Sequence, residues 1–178
     1  AMAERMIDAA TPEESYKTLL ECGYAPLERC TLENVEHALS QARRELYREV
    51  SVLVPDKRIV ELFQVMYDYH NAKLALKSKR TGEDVSRLAM DCGRFDAQKV
   101  LRGETSAVSA AMSRAMAQAE SEAGHSGDLR MAELLLDRAC YEEMSALASE
   151  TGSTFLKDYV ALQIDAVNLR TLVRAQRM

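Results

Sequence analysis

The chain has 178 residues, of which 47% are hydrophobic and 29% charged, and its formal net charge is −5. This acidic balance argues against nucleic acid as the main partner, because phosphate binding needs a surplus of lysine and arginine on one face. No apolar run approaches the roughly 18 residues that span a bilayer, and no signal peptide opens the chain, so we expect a cytoplasmic protein that is not inserted in a membrane.

The low content of glycine and proline, 7 and 3 residues, favours an all-α fold. In the first part of the chain, helix starts are marked by N-cap residues such as Thr11 and Thr31, and helix ends by glycine or proline. The predicted helices span 4–9, 12–22, 32–53 and 56–79, followed by two short pieces at 84–91 and 96–101.

The second part of the chain repeats this alternation of helices and breaks. An alanine- and methionine-rich helix is predicted over 106–122, and the run 123–127 is predicted to be a linker because it holds two glycines. A long helix follows over 128–150, and a last one over 154–178. No alternating strand pattern of useful length is present.

Two of the long helices resemble each other at an offset of 97 residues. The matched polar positions form a structural repeat motif: Asp68, Asn71 and Lys73 in the first helix, and Asp165, Asn168 and Arg170 in the second. The apolar stripe Leu62, Val65, Tyr69, Ala72 and Leu76 matches Tyr159, Leu162, Ala166, Leu169 and Val173. The repeat predicts two helical bundles in tandem, over 1–103 and 104–178.

The polar pair of the motif lies three residues apart on one side of each helix, beside the apolar stripe. A buried aspartate or asparagine must find hydrogen-bond partners, so we expect both residues to contact a neighbouring helix end or a basic side chain. This predicts a role in fixing how helices pack, rather than in catalysis.

No motif for catalysis, cofactor binding or metal binding is present. The phosphate-binding loops GxxxxGK[ST] and GxGxxG are absent, as are HExxH and EF-hand patterns. The four cysteines form no CxxC pair and have no histidine at metal-ligand spacing, so we expect reduced and mostly buried thiols; they are Cys22, Cys30, Cys92 and Cys140.

Several segments, taken in order, resemble the C subunit family of V-type and archaeal A-type rotary ATPases. The most specific are Leu136-Asp137-Arg138-Ala139-Cys140-Tyr141 and the two helices that carry Asp-x-x-Asn-x-[Lys/Arg]. The segments 66–79, 155–160 and 165–175, and the opening 7–24, also match the pattern of the family. Cys140 departs from it, since an aromatic or small residue is expected there.

The resemblance implies a non-catalytic rotor subunit, peripheral on the cytoplasmic side of the membrane, that needs no cofactor. Its partners would be the D and F subunits of the central stalk and the membrane rotor ring, between which it would transmit torque. Members of the family have three similar helical domains arranged as a funnel. The resemblance applies equally to proton and sodium complexes, and to synthases and pumps.

Two other interpretations share the same composition and helical stripes. One is an unrelated helical scaffold for protein interactions, and the other is a helical enzyme of unknown chemistry, which a buried cluster of titratable residues with shifted pKa values would favour. The opening Ala1-Met2 is typical of a cloning remnant, and the helical pattern still runs at Met178. We therefore expect the chain to be part of a longer protein.

Overall fold

A computed structural model of the chain describes residues 2–176, and these form α-helices joined by turns, without a strand. The helices are α1 (Met2–Ile7), α2 (Pro12–Glu21), α3 (Leu32–Leu53), α4 (Lys57–Thr81), α5 (Ala97–Leu101), α6 (Ala110–Ser126), α7 (Leu129–Glu150) and α8 (Thr154–Gln176). The predicted all-α class is confirmed. Arg177 and Met178, the end of the last predicted helix, lie outside the described residues.

The described part of the chain divides into two compact units, one ending at Val50 and the other beginning at Ser51. In the first unit α1 packs on α2, and the Arg5 guanidinium makes two hydrogen bonds of 2.8 Å to the Glu21 carboxylate. The Tyr16 hydroxyl donates to the carbonyl of Ala25 at 2.7 Å, which ties the loop after α2 back to that helix.

The second unit has one hydrophobic core, built where α4, α6 and α8 pack against α7 and where α5 packs against α4. The predicted stripe of α4 is confirmed as its main contribution: Leu62 and Val65 are fully buried, and Tyr69 is 1% exposed. Small side chains on α6, including Ala115 and Ala119, let that helix approach α7 closely. The core therefore contains residues from both sides of the predicted boundary between 103 and 104. The division into two bundles over 1–103 and 104–178, which was inferred from the repeat, stays a prediction.

Three local predictions are wrong. The run 123–127 is not a linker, because α6 continues to Ser126 and ends only at Gly127, whose φ of 67° is left-handed. Ala123 continues the buried face of Ala115 and Ala119, so burial of this face extends the helix through Gly124. The same helix begins at Ala110 rather than at 106, because Ser109 is the N-cap that accepts from the backbone N–H of Met112.

The short piece predicted over 84–91 is also not a helix. Only 86–88 form a single 3₁₀ turn, and the chain then runs in an irregular path through 89–96. Several of its backbone groups bond instead to side chains of α4.

Candidate functional site

The irregular segment 88–95 is held against α4 by a row of polar side chains on that helix. Asn71 pairs with Met90 as a neighbouring strand would: its Nδ2 donates to the Met90 carbonyl at 2.7 Å, and its Oδ1 accepts from the Met90 N–H at 2.9 Å. Two turns earlier, Gln64 Nε2 donates to the carbonyl of Cys92 at 3.1 Å. His70 Nε2 lies 3.1 Å from the carbonyl of Leu88.

Asp68 is the centre of this row and is completely buried. Its Oδ1 accepts from the backbone N–H groups of Arg94 at 2.9 Å and Phe95 at 3.3 Å, and its Oδ2 accepts from Nε of Arg94 at 2.6 Å. All three contacts are donors, which matches an ionised carboxylate. Burial raises the pKa of the Asp68 carboxyl, and the hydrogen bonds from Arg94 act against that shift.

Gly93 allows the segment to approach Asp68 this closely. A Cβ built on Gly93 would lie 2.1 Å from Oδ1 of Asp68, far inside van der Waals contact. The glycine is therefore required by the hydrogen bonds that the next two residues make to the same oxygen.

Arg94 links this segment to α7. Its Nη1 donates to Oε1 of Glu143 at 2.8 Å, and its guanidinium carbon lies 4.9 Å from the centre of the Phe95 ring. Burial lowers the pKa of the Arg94 guanidinium, but its hydrogen bonds to Glu143 and Asp68 more than offset this and hold the pKa above its ordinary value. The buried Nη2 atom is without a hydrogen-bond partner among residues 2–176.

Glu143 completes the network from the other side. Its Oε2 accepts from the Tyr69 hydroxyl at 3.0 Å and its Oε1 from the Ser109 hydroxyl at 3.3 Å. Burial, together with the adjacent Glu143 carboxylate, raises the pKa of the Tyr69 hydroxyl. We call Asp68, Asn71, Gly93, Arg94 and Glu143 the loop clamp, because they bind the segment 88–95 to α4 and α7.

Lys73, the third residue of the first repeat motif, does not belong to the loop clamp. Its Nζ donates to Oδ1 of Asp137 at 2.7 Å, and one turn along, Lys77 lies 2.8 Å from Glu133. Both pairs cross between α4 and α7, and the first connects a residue of the repeat motif to the segment 136–141. The structure thus brings Asp68 and Asn71 together around one segment and places Lys73 on another face.

The second copy of the motif has a different environment. Asp165, Asn168 and Arg170 are exposed on α8, and within residues 2–176 the first two make no side-chain hydrogen bond or ion pair. Only the first half of α8 contributes to the core, through Leu156 and Val160. The equivalence of the two motifs stays a prediction.

Sequence reasoning missed Gly93, Arg94 and Glu143. The sequence alone indicates Gly93 only as a break between short helices, and Glu143 only as a surface carboxylate of a Glu-Glu pair. The Gly-Arg dipeptide at 93–94, which follows the helix that carries Asp68, could have indicated a close approach of backbone and an arginine to that aspartate. Glu143 gives no such signal, because its neighbours are set by the packing of α7.

The described part of the chain holds neither a metal-binding cluster nor a helix that could span a membrane. In residues 2–176, no group of three or more histidine, cysteine, aspartate or glutamate side chains is placed to hold a metal ion. Over the same residues, each helix is too short or too polar to cross a bilayer.

Comparison with known proteins gives consistent matches. The chain is 28% identical over 159 residues to the C subunit of the V-type ATP synthase of Thermus thermophilus, covering 82% of this chain and 48% of that protein. It is 23% identical over 143 residues to the C subunit of the V-type sodium ATPase of Enterococcus hirae, covering 78% of this chain and 44% of that protein. The chain thus spans about half the length of the curated relatives it matches.

No solved structure matches the chain significantly. The family model of the ATP synthase (C/AC39) subunit, in contrast, matches residues 1–178, the whole sequence. Together with the two relatives, this match shows that the chain belongs to the C/AC39 subunit family of V-type ATP synthases.

Proposed function

We propose that this chain is part of a non-catalytic rotor subunit that links the central stalk of a V/A-type ATPase to its membrane rotor ring and transmits torque between them. The observation that carries the proposal is the match of the family model to the whole sequence. The partners are the D and F subunits of the central stalk and the rotor ring, and the protein lies peripherally on the cytoplasmic side of the membrane.

The construction of the second unit supports a mechanical role. A torque coupler must resist bending, and the loop clamp removes the freedom of the segment that joins α4 to α5. Asp68 and Asn71 fix the backbone of that segment at Met90, Arg94 and Phe95. Dense packing and hydrogen-bonded polar groups of this kind make an interior rigid.

The buried titratable cluster fits this role better than it fits catalysis. Both oxygens of Asp68 and both oxygens of Glu143 already accept hydrogen bonds from protein groups. Asp68 has no exposed surface on which a substrate could act. A catalytic acid or base needs an open position within hydrogen-bond reach of a substrate.

The test is capture of the intact protein by the D and F subunits from the same organism, followed by addition of the detergent-solubilised rotor ring. We expect a stoichiometric complex with D and F, and recruitment of the ring only when the intact protein is present. The matched control is D and F with the ring alone.

Absence of any complex with a protein shown to be folded by its helical circular dichroism and cooperative unfolding would contradict the proposal. That outcome would favour the alternative of a helical scaffold with other partners. Hydrolysis of ATP by the purified intact protein would contradict the non-catalytic assignment.

A further inference from the structure

We draw no further inference here: the strongest candidate, the groove between α4, α7 and α8 that is lined in part by the exposed side chains of Arg130, Arg170 and Arg174, is open to solvent, and nothing in the structure shows what covers it.

Discussion

α4 and α8 carry the same pattern of residues and end up in opposite environments. On α4 the apolar stripe is buried and Asp68 and Asn71 hold a segment of chain. On α8 the matching stripe is exposed from Leu162 onward, as are Asp165 and Asn168. The helices form in both cases, because local propensity and capping do not depend on the neighbours. Burial, in contrast, depends on what the rest of the chain places opposite. α6 and α7 cover the stripe of α4, whereas α8 contributes to the core only through its first half.

The largest difference in stability between the two helices is expected when Asp68 or Asp165 is replaced. Asp68→Ala leaves Arg94 and two backbone N–H groups buried with fewer partners, which should lower the free energy of unfolding by about 3–5 kcal/mol. Asp165→Ala, the matched control on α8, should change it by less than about 0.5 kcal/mol. Urea unfolding followed by circular dichroism measures both, and similar losses for the two variants would contradict the comparison.

A second difference is expected in the apolar stripes. Leu62 is fully buried and Leu162 is 65% exposed. Leu62→Ala should destabilise the chain by about 2–5 kcal/mol, since it loses burial and leaves a cavity. Leu162→Ala should cost less than about 0.5 kcal/mol. Thermal unfolding of the pair checks this, and a stabilised Leu62→Ala variant would show that the core is packed differently.

Alanine substitutions at two glycines should change the free energy of unfolding in opposite directions. Gly93→Ala places a methyl group against Asp68 and should destabilise the chain by about 1–3 kcal/mol. Gly124 lies inside α6, where the closest atom to a new Cβ is the flexible end of Arg80 at 3.3 Å. Gly124→Ala should therefore stabilise the chain by about 0.5–1 kcal/mol. Stabilisation by both changes would mean that Gly93 does not approach Asp68 closely.

The smallest effect is expected in the chemical reactivity of Cys140, whose thiol lies on the buried side of α7. Burial raises the pKa of Cys140 to about 12, so this thiol is both inaccessible and protonated at pH ~8. Cys22 is exposed. An aromatic disulfide reagent at that pH should modify Cys22 rapidly and Cys140 only when the contact between α4 and α7 opens. Rapid modification of Cys140 in the folded protein would indicate that α4 is not held in place.

The sequence alone predicts some features of α4 correctly and leaves others unpredicted. Periodicity predicted α4 and its buried stripe correctly, because an amphipathic pattern records which side of a helix meets the core. The same reasoning predicted that Asp68 and Asn71 need hydrogen-bond partners, and both have them. The partners themselves were not predicted, since Arg94 and Glu143 reach this place through the path of an irregular segment and the packing of α7.

The errors have a similar origin. The two glycines of 123–127 favoured a linker locally, but Ala123 continues a buried face, and its packing outweighs the propensity of Gly124 to break the helix. On α8 the stripe is present as a pattern, yet within residues 2–176 the structure leaves it uncovered from Leu162 onward. A pattern predicts which side of a helix can be buried, and the neighbouring elements decide whether it is.

Amide hydrogen exchange of the 178-residue chain, compared between α4 and the second half of α8, tests the central claim most directly. We predict that the amides of α4 beside the loop clamp exchange only with global unfolding, while those of 161–176 exchange through local opening at much lower free energy. Equal protection of the two helices would contradict the account, because it would mean that the second half of α8 is already covered in this chain.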